Sequence, residues 1–133
     1  MPPADGFAHV SGTDIRVQQR RIGDLTVSAI GLGGMPMSVR PTNDEAKGIA
    51  TIRAAVENGV TLIDTADAYS KGESDFGHNE ELIAKALEGV DAEVLVATKG
   101  GHTRIGGAWN LNGRPEYLQQ ACRASASASR WWP

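Results

Sequence analysis

Two short apolar runs, each ending in an ionisable residue, set the strongest limit on how this chain can fold. Residues 61–69 read TLIDTADAY and residues 93–99 read EVLVATK, with one helix-like segment between them. Val60 to Asp64 is almost continuously apolar, which predicts a strand covered on both faces in a parallel sheet. Glu93 to Thr98 repeats the pattern as the next strand. Between them Asn79 is expected to open a helix whose Leu82, Ile83, Ala86 and Leu87 form one stripe and which Gly89 closes.

The alternation extends to both sides. Ile15 to Ile22 and Leu25 to Ala29 are β-prone runs separated by Gly23 and Asp24, and a glycine there supplies the positive φ of a tight hairpin turn. Ser28 to Gly33 reads as a short strand that enters the glycine-rich loop GGMPMSVRP. Thr42 or Asn43 can cap a helix from Asp44 to Asn58 that puts Ile49, Ile52 and Val56 on one face and ends at Gly59. Beyond Lys99, a long loop from Gly100 to Gly113 is expected to be a surface loop, and Pro115 starts a third helix through Tyr117, Leu118 and Ala121. Strand, helix, strand, helix, strand, helix argues for an α/β fold with a parallel sheet, either doubly wound or a (β/α) barrel. The preceding hairpin suits a plug under a barrel, so the expectation is the N-terminal portion of a (β/α)8 barrel: a hairpin and three βα units. Such barrels need roughly 250 residues, and this chain has 133.

The domain reading is therefore a loose tail over residues 1–14, a partial barrel over 15–124 and an aberrant stretch over 125–133. That last stretch, SASASRWWP, is low in complexity and interrupts the pattern where a fourth strand is due, which predicts a truncated or frameshifted reading frame. A net charge of −3 without a basic run argues against nucleic acid and anionic lipid as partners. The single cysteine, Cys122, excludes an internal disulfide. No run is long and apolar enough for a membrane span, and the N-terminal residues lack the pattern of a secretory signal; the expected location is the cytosol. His78, His102 and Cys122 show no metal-ligand spacing, and both histidines read as loop residues.

The chemistry sits at the strand ends. Neighbouring parallel strands lie about 5 Å apart, so Asp64 and Lys99 can pair. A lysine kept charged by that aspartate favours the ionised form of a phenol next to it, and Tyr69 is then a better proton donor. A proton donor beside a carbonyl oxygen is what carbonyl reduction requires as a hydride attacks the carbon. None of the three supplies a hydride, so a nicotinamide cofactor is needed. The glycines of GLGGMP do not complete a dinucleotide fingerprint, because Pro36 takes the third glycine position and no helix is expected to begin there.

GLGGM at 31–35, LIDTADAY at 62–69 and VLVATKGG at 94–101 together resemble the N-terminal part of an aldo-keto reductase. The likeness runs from Gln18 to about Ala124. It implies Asp64, Tyr69 and Lys99 as three of the family's four catalytic residues, with Tyr69 as proton donor. It also implies Gly33, Gly34 and Met35, with Asp64, near the nicotinamide and ribose of NADPH, or less often NADH, and an aldehyde or ketone as substrate. The fourth family residue is a histidine on a fourth strand, a role His102 does not fill, and the chain is expected to have little or no activity alone. The rival reading is a non-catalytic fragment that associates with another chain, or with itself, through its exposed sheet edge. A small doubly wound nucleotide-binding module is disfavoured by Pro36.

Overall fold

The computed structural model describes residues 17–128. The tail at 1–14, the start of the first strand at Ile15 and the Trp131–Trp132 pair lie outside the described residues. Strands β1 (Gln19–Ile22) and β2 (Leu25–Ser28) form the expected antiparallel hairpin, with Gly23 at φ +59° in its turn. Only the β2 end of this hairpin is buried, through Val27 and Ser28. Ser28 and Thr61 hold it there reciprocally. The Ser28 amide donates to Thr61 Oγ1 and the Thr61 amide donates to Ser28 Oγ, each at 2.8 Å. The hairpin thus sits at the N-terminal end of the strand that Thr61 introduces, the position of a plug.

Strand β3 (Leu32–Gly33) is shorter than its apolar run suggests and is followed by a single helical turn, α1 (Pro36–Val39). A helical turn therefore does begin at Pro36, contrary to the sequence reading, because proline at the first helical position needs no amide partner. Helix α2 (Glu45–Glu57) is capped by Asp44, whose carboxylate accepts from the Lys47 amide at 3.1 Å; neither Thr42 nor Asn43 is the cap. Asp at N-cap satisfies one orphan amide and meets the positive helix end with a negative charge. Strand β4 (Leu62–Asp64) follows. Helix α3 (His78–Leu87) starts after Gly77 at φ +86°, so His78 is helical and Asn79 lies inside the helix as a buried residue, not at its cap. Strand β5 (Leu95–Ala97) completes a parallel sheet of order β3-β4-β5, with Gly33 opposite Asp64 and Asp64 opposite Ala97.

The core lies between this sheet and α2 and α3. Ile52, Ile63, Leu82, Ile83 and Ala86 are buried together, with Ile49, Val56, Leu87, Val94 and Val96 packed around them. Gly48 lets the two helices approach, since a Cβ there would stand 3.0 Å from Leu82 Cδ2. Ile63 is fully buried, whereas Leu62 and Asp64 on the opposite face are only partly covered or exposed. Among the described residues β4 is therefore buried on one face, not on both as its apolar run predicts. Side chains alternate across a strand, and the helices found here cover the Ile63 side.

Two segments are more ordered than their composition suggests. The Gly100–Gly113 loop folds into a small hairpin, β6 (His102–Thr103) paired with β7 (Asn110–Leu111) around a 3-10 turn at Ile105–Gly107. Helix α4 (Pro115–Ala128) runs straight through the alanine and serine repeat, with Ala121 and Ser125 buried. Alanine is the best helix former, and a serine inside a helix can bond back one turn, as Ser127 Oγ does to the Arg123 carbonyl at 2.9 Å. Low complexity here makes a helix. No helix of the described residues is long and apolar enough to cross a membrane.

Candidate active site

The register of the parallel sheet brings the ionisable strand ends together. Asp64 closes β4, and Lys99 stands two residues past the end of β5, whose Ala97 is its register partner. Lys99 Nζ donates to both carboxylate oxygens of Asp64 at 2.8 Å and to the Thr65 carbonyl at 2.7 Å. The same nitrogen lies 4.8 Å from the centroid of the Tyr69 ring. Partial burial pulls the Lys99 ammonium down, but its bonds to Asp64 and the neighbouring Tyr69 outweigh that and hold it above the ordinary lysine value. It is a fixed cation. Asp64, Tyr69 and Lys99 are thus one cluster, as their spacing predicts, and Asp64 and Lys99 are about half exposed, so the group faces outward from the strand ends.

The Gly33–Met35 segment adjoins this cluster. The Gly34 amide donates to the Asp64 carbonyl at 2.8 Å. Gly33 has open space where a side chain would stand, and Met35 is 42% exposed. An uncovered strand end beside a carboxylate fits the nicotinamide end of a dinucleotide. Gly34 is glycine for another reason, because a Cβ there would run into Asn79 Oδ1.

A second ring of residues surrounds the cluster. The β6–β7 hairpin places Trp109 edge-on to Tyr69, with ring centroids 6.4 Å apart, and edge-on to His102 at 5.8 Å. Arg104, buried to 6% exposure, stacks its guanidinium 4.0 Å from the Trp109 ring centre. Its Nη2 donates to the Lys71 and Gly107 carbonyls at 3.3 and 2.9 Å, tying this hairpin to the loop that carries Tyr69. His102 packs on Trp109 and not on the Asp64–Lys99 pair.

Asp67, two residues before Tyr69, is buried at 4% exposure, and burial raises its carboxyl to about 6 against an ordinary 3.8. The Ala68 backbone and the Tyr117 hydroxyl oppose that rise, and the buried Glu80 adds to it. The Asp67 amide donates to the Lys99 carbonyl at 3.2 Å, so this acid lies under the cluster. The signal for Asp67 is an acid inside an otherwise small and apolar stretch, Ala66 to Tyr69. Asn79 has a clearer one: it stands three and four residues before Leu82 and Ile83, on the apolar stripe itself.

The fold of this chain is similar to that of several solved structures. The first of three similar solved structures, assigned to the aldo-keto reductases and coming from Pseudomonas aeruginosa, superposes at a TM-score of 0.70 with 24% identity over 83% of this chain. The holo form of an aldo-keto reductase from Bacillus halodurans gives 0.69, with 30% identity over 85% of this chain. Another Pseudomonas aeruginosa structure assigned to these reductases gives 0.67, with 25% identity over 83% of this chain. The chain spans 42%, 36% and 40% of the lengths of these three proteins, so its likeness is to part of each. The sequence model of the aldo/keto reductase family matches residues 29–129, which takes in β3 to β7, helices α1 to α4 and every residue of the cluster. With a parallel sheet that carries an acid, a lysine and a phenol at its strand ends, this chain belongs to the aldo/keto reductase family.

Proposed function

We propose that this chain carries the proton-donating part of a carbonyl-reducing site, in which an aldehyde or ketone becomes an alcohol at the expense of NADPH, with NADH as the alternative donor. The observation that carries the reading is the position of one cation. Lys99 Nζ is bonded to Asp64 at 2.8 Å and stands 4.8 Å from the Tyr69 ring centroid. When bound, the nicotinamide supplies the hydride. Gly33, Gly34 and Met35, together with Asp64, are the residues that would hold that end of the cofactor. Tyr69 hands its hydroxyl proton to the substrate oxygen as charge develops there, and Lys99 offsets the negative charge left on the phenol. Asp64 keeps Lys99 ionised and aimed. Positioned proton donors contribute roughly 10²–10⁴-fold.

The cluster stands at the ends of β4 and β5, and the chain spans 36–42% of the lengths of the three reductases it is similar to, so turnover by the 133-residue chain is expected to be slow. The test is therefore transfer of deuterium from C4-deuterated NADPH to a reactive aldehyde, read by mass spectrometry in the purified chain and in Tyr69→Phe. Deuterated alcohol that forms slowly and is lost in Tyr69→Phe supports the proposal; equal amounts from both proteins overturn it. A cytosolic location is part of the same proposal, supported by the single cysteine among 133 residues.

A second reading rests on the sheet edges. Among the described residues β3 and β5 each pair with β4 alone, leaving a strand edge open on either side. Open edges recruit further strands, so an associating fragment without catalysis is the rival. Light scattering separates the two: a defined oligomer without deuterium transfer favours association, and a monomer counts against it.

A further inference from the structure

Asn79 occupies a core position of α3 and is fully buried, yet it is polar. An amide in that place costs several kcal/mol unless it is satisfied, and here it is. Its Nδ2 donates to the Gly34 carbonyl at 2.9 Å and to Ser38 Oγ at 2.7 Å, while its Oδ1 accepts from the Thr65 hydroxyl at 2.7 Å. These partners come from two separate segments. Gly34 and Ser38 follow β3, and Thr65 follows Asp64. The contact is tight as well as bonded, since position 34 has no room for a Cβ between Asn79 Oδ1 and the Asp64 carbonyl, the latter at 3.1 Å.

Counting hydrogens extends the network by one residue. Both Nδ2 hydrogens of Asn79 are used, so Ser38 Oγ is an acceptor toward Asn79, and the same oxygen is hydrogen-bonded to His78 Nδ1 at 2.8 Å, with the direction set by the histidine tautomer. Among the described residues the Asn79 side chain bonds to both segments, and it adds to the direct bond from the Gly34 amide to the Asp64 carbonyl. Replacing Asn79 by leucine keeps the core filled but leaves the Gly34 carbonyl and the Thr65 hydroxyl without this partner.

We infer that Asn79 is a positioning residue: it fixes how closely the Gly33–Met35 segment lies against the Asp64–Lys99 pair, and so orients the nicotinamide end of a bound cofactor toward the reacting groups. The orienting part rests on the reductase reading above. The separation of the two segments does not, and it is measured without cofactor.

The experiment is residue-resolved amide hydrogen exchange on the whole chain, on Asn79→Ala and on Thr65→Val. Amides of Gly34, Met37 and Ser38 bond within the segment or to Asp64. They are expected to exchange about tenfold faster in Asn79→Ala, the change that loss of one well-made buried hydrogen bond gives. Amides of Ile52 and Ile83 in the helices keep their rates. Acceleration shared equally by all of them, or an unchanged Gly34 amide, overturns the inference. Should Asn79→Ala not fold, Thr65→Val removes a single bond to Asn79 and Asn79→Asp gives a pH signature. The aspartate lacks the donor that Gly34 needs until it is protonated, so protection of the Gly34 amide returns on acidification if Asn79 acts as described and stays lost if it does not. NADPH titration of the same proteins by nicotinamide fluorescence supplies the last arm, with binding weakened about tenfold in Asn79→Asp at neutral pH. An unmodified chain that does not bind NADPH sinks the reductase reading, while the exchange pattern still decides the role of Asn79.

Discussion

Lys99 gathers the polar groups at the strand ends around a single charge. Its value is held above the ordinary lysine range, so the ammonium stays protonated at every pH at which the protein is handled, and its contribution is lost only as the pH rises through that raised value. Lys99→Met is therefore expected to reduce deuterium transfer by a factor of roughly 10² or more across pH 6–9, without shifting the profile within that range; a change confined to one end of the range would speak against a constant charge. Asp67 behaves in the opposite sense. Its folded value of about 6 exceeds the ordinary 3.8, so the folded state keeps a proton that the unfolded chain releases between those values. Stability is fully present below the lower value and falls as the pH climbs through the upper one, by about 2–3 kcal/mol in total. Asp67→Asn should flatten that fall. Denaturant midpoints at pH 4 and pH 7.5 measure it: native protein is expected to lose stability between them and the variant to lose much less.

At the scale of elements, the hairpin and the sheet are joined by the reciprocal pair of Ser28 and Thr61. Thr61→Val keeps the shape but leaves the buried Ser28 amide without its acceptor, a loss of about 1–3 kcal/mol. Urea denaturation should show that loss, and limited proteolysis should cut near Gly23 before any other site. The order of these elements was legible because the runs around Ile63 and Val96 are apolar over a strand's length and are separated by glycine-ended helices. Helix stripes were legible for the same reason. Asn79 was read only as the opening of the helix, and its three-residue and four-residue spacing to Leu82 and Ile83 is what reveals that it faces inward. Residues 125–128 were misread because repetition of Ser and Ala was taken as loss of pattern, although helix propensity needs no pattern. Arg104 was out of reach, since the hairpin that joins it to Tyr69 depends on glycine turns at Gly106 and Gly107 with φ of +58° and +79°. The Asp64, Tyr69 and Lys99 cluster was legible because each stands at or just beyond the end of a readable strand.

The whole molecule presents more apolar surface than its compact core would suggest. Ile22 and Leu25 face each other across the hairpin end, 53% and 51% exposed, and Ile30 is 66% exposed. The apparent mass in light scattering is expected to rise with concentration. Changing Ile22 and Leu25 to threonine keeps the strand preference, should alter stability by no more than about 0.5 kcal/mol, and should reduce that rise; an unchanged rise would assign the association to the sheet edges. The molecule is also polar in a different sense. Ser28, Thr61 and Val27 fasten the hairpin at one end of the sheet, while Asp64, Tyr69, Lys99 and the Trp109 hairpin occupy the other. Substitutions in the loops of the second end leave the fastening at the first untouched. Residues at the open strand ends can therefore change while the hairpin at the opposite pole stays fastened.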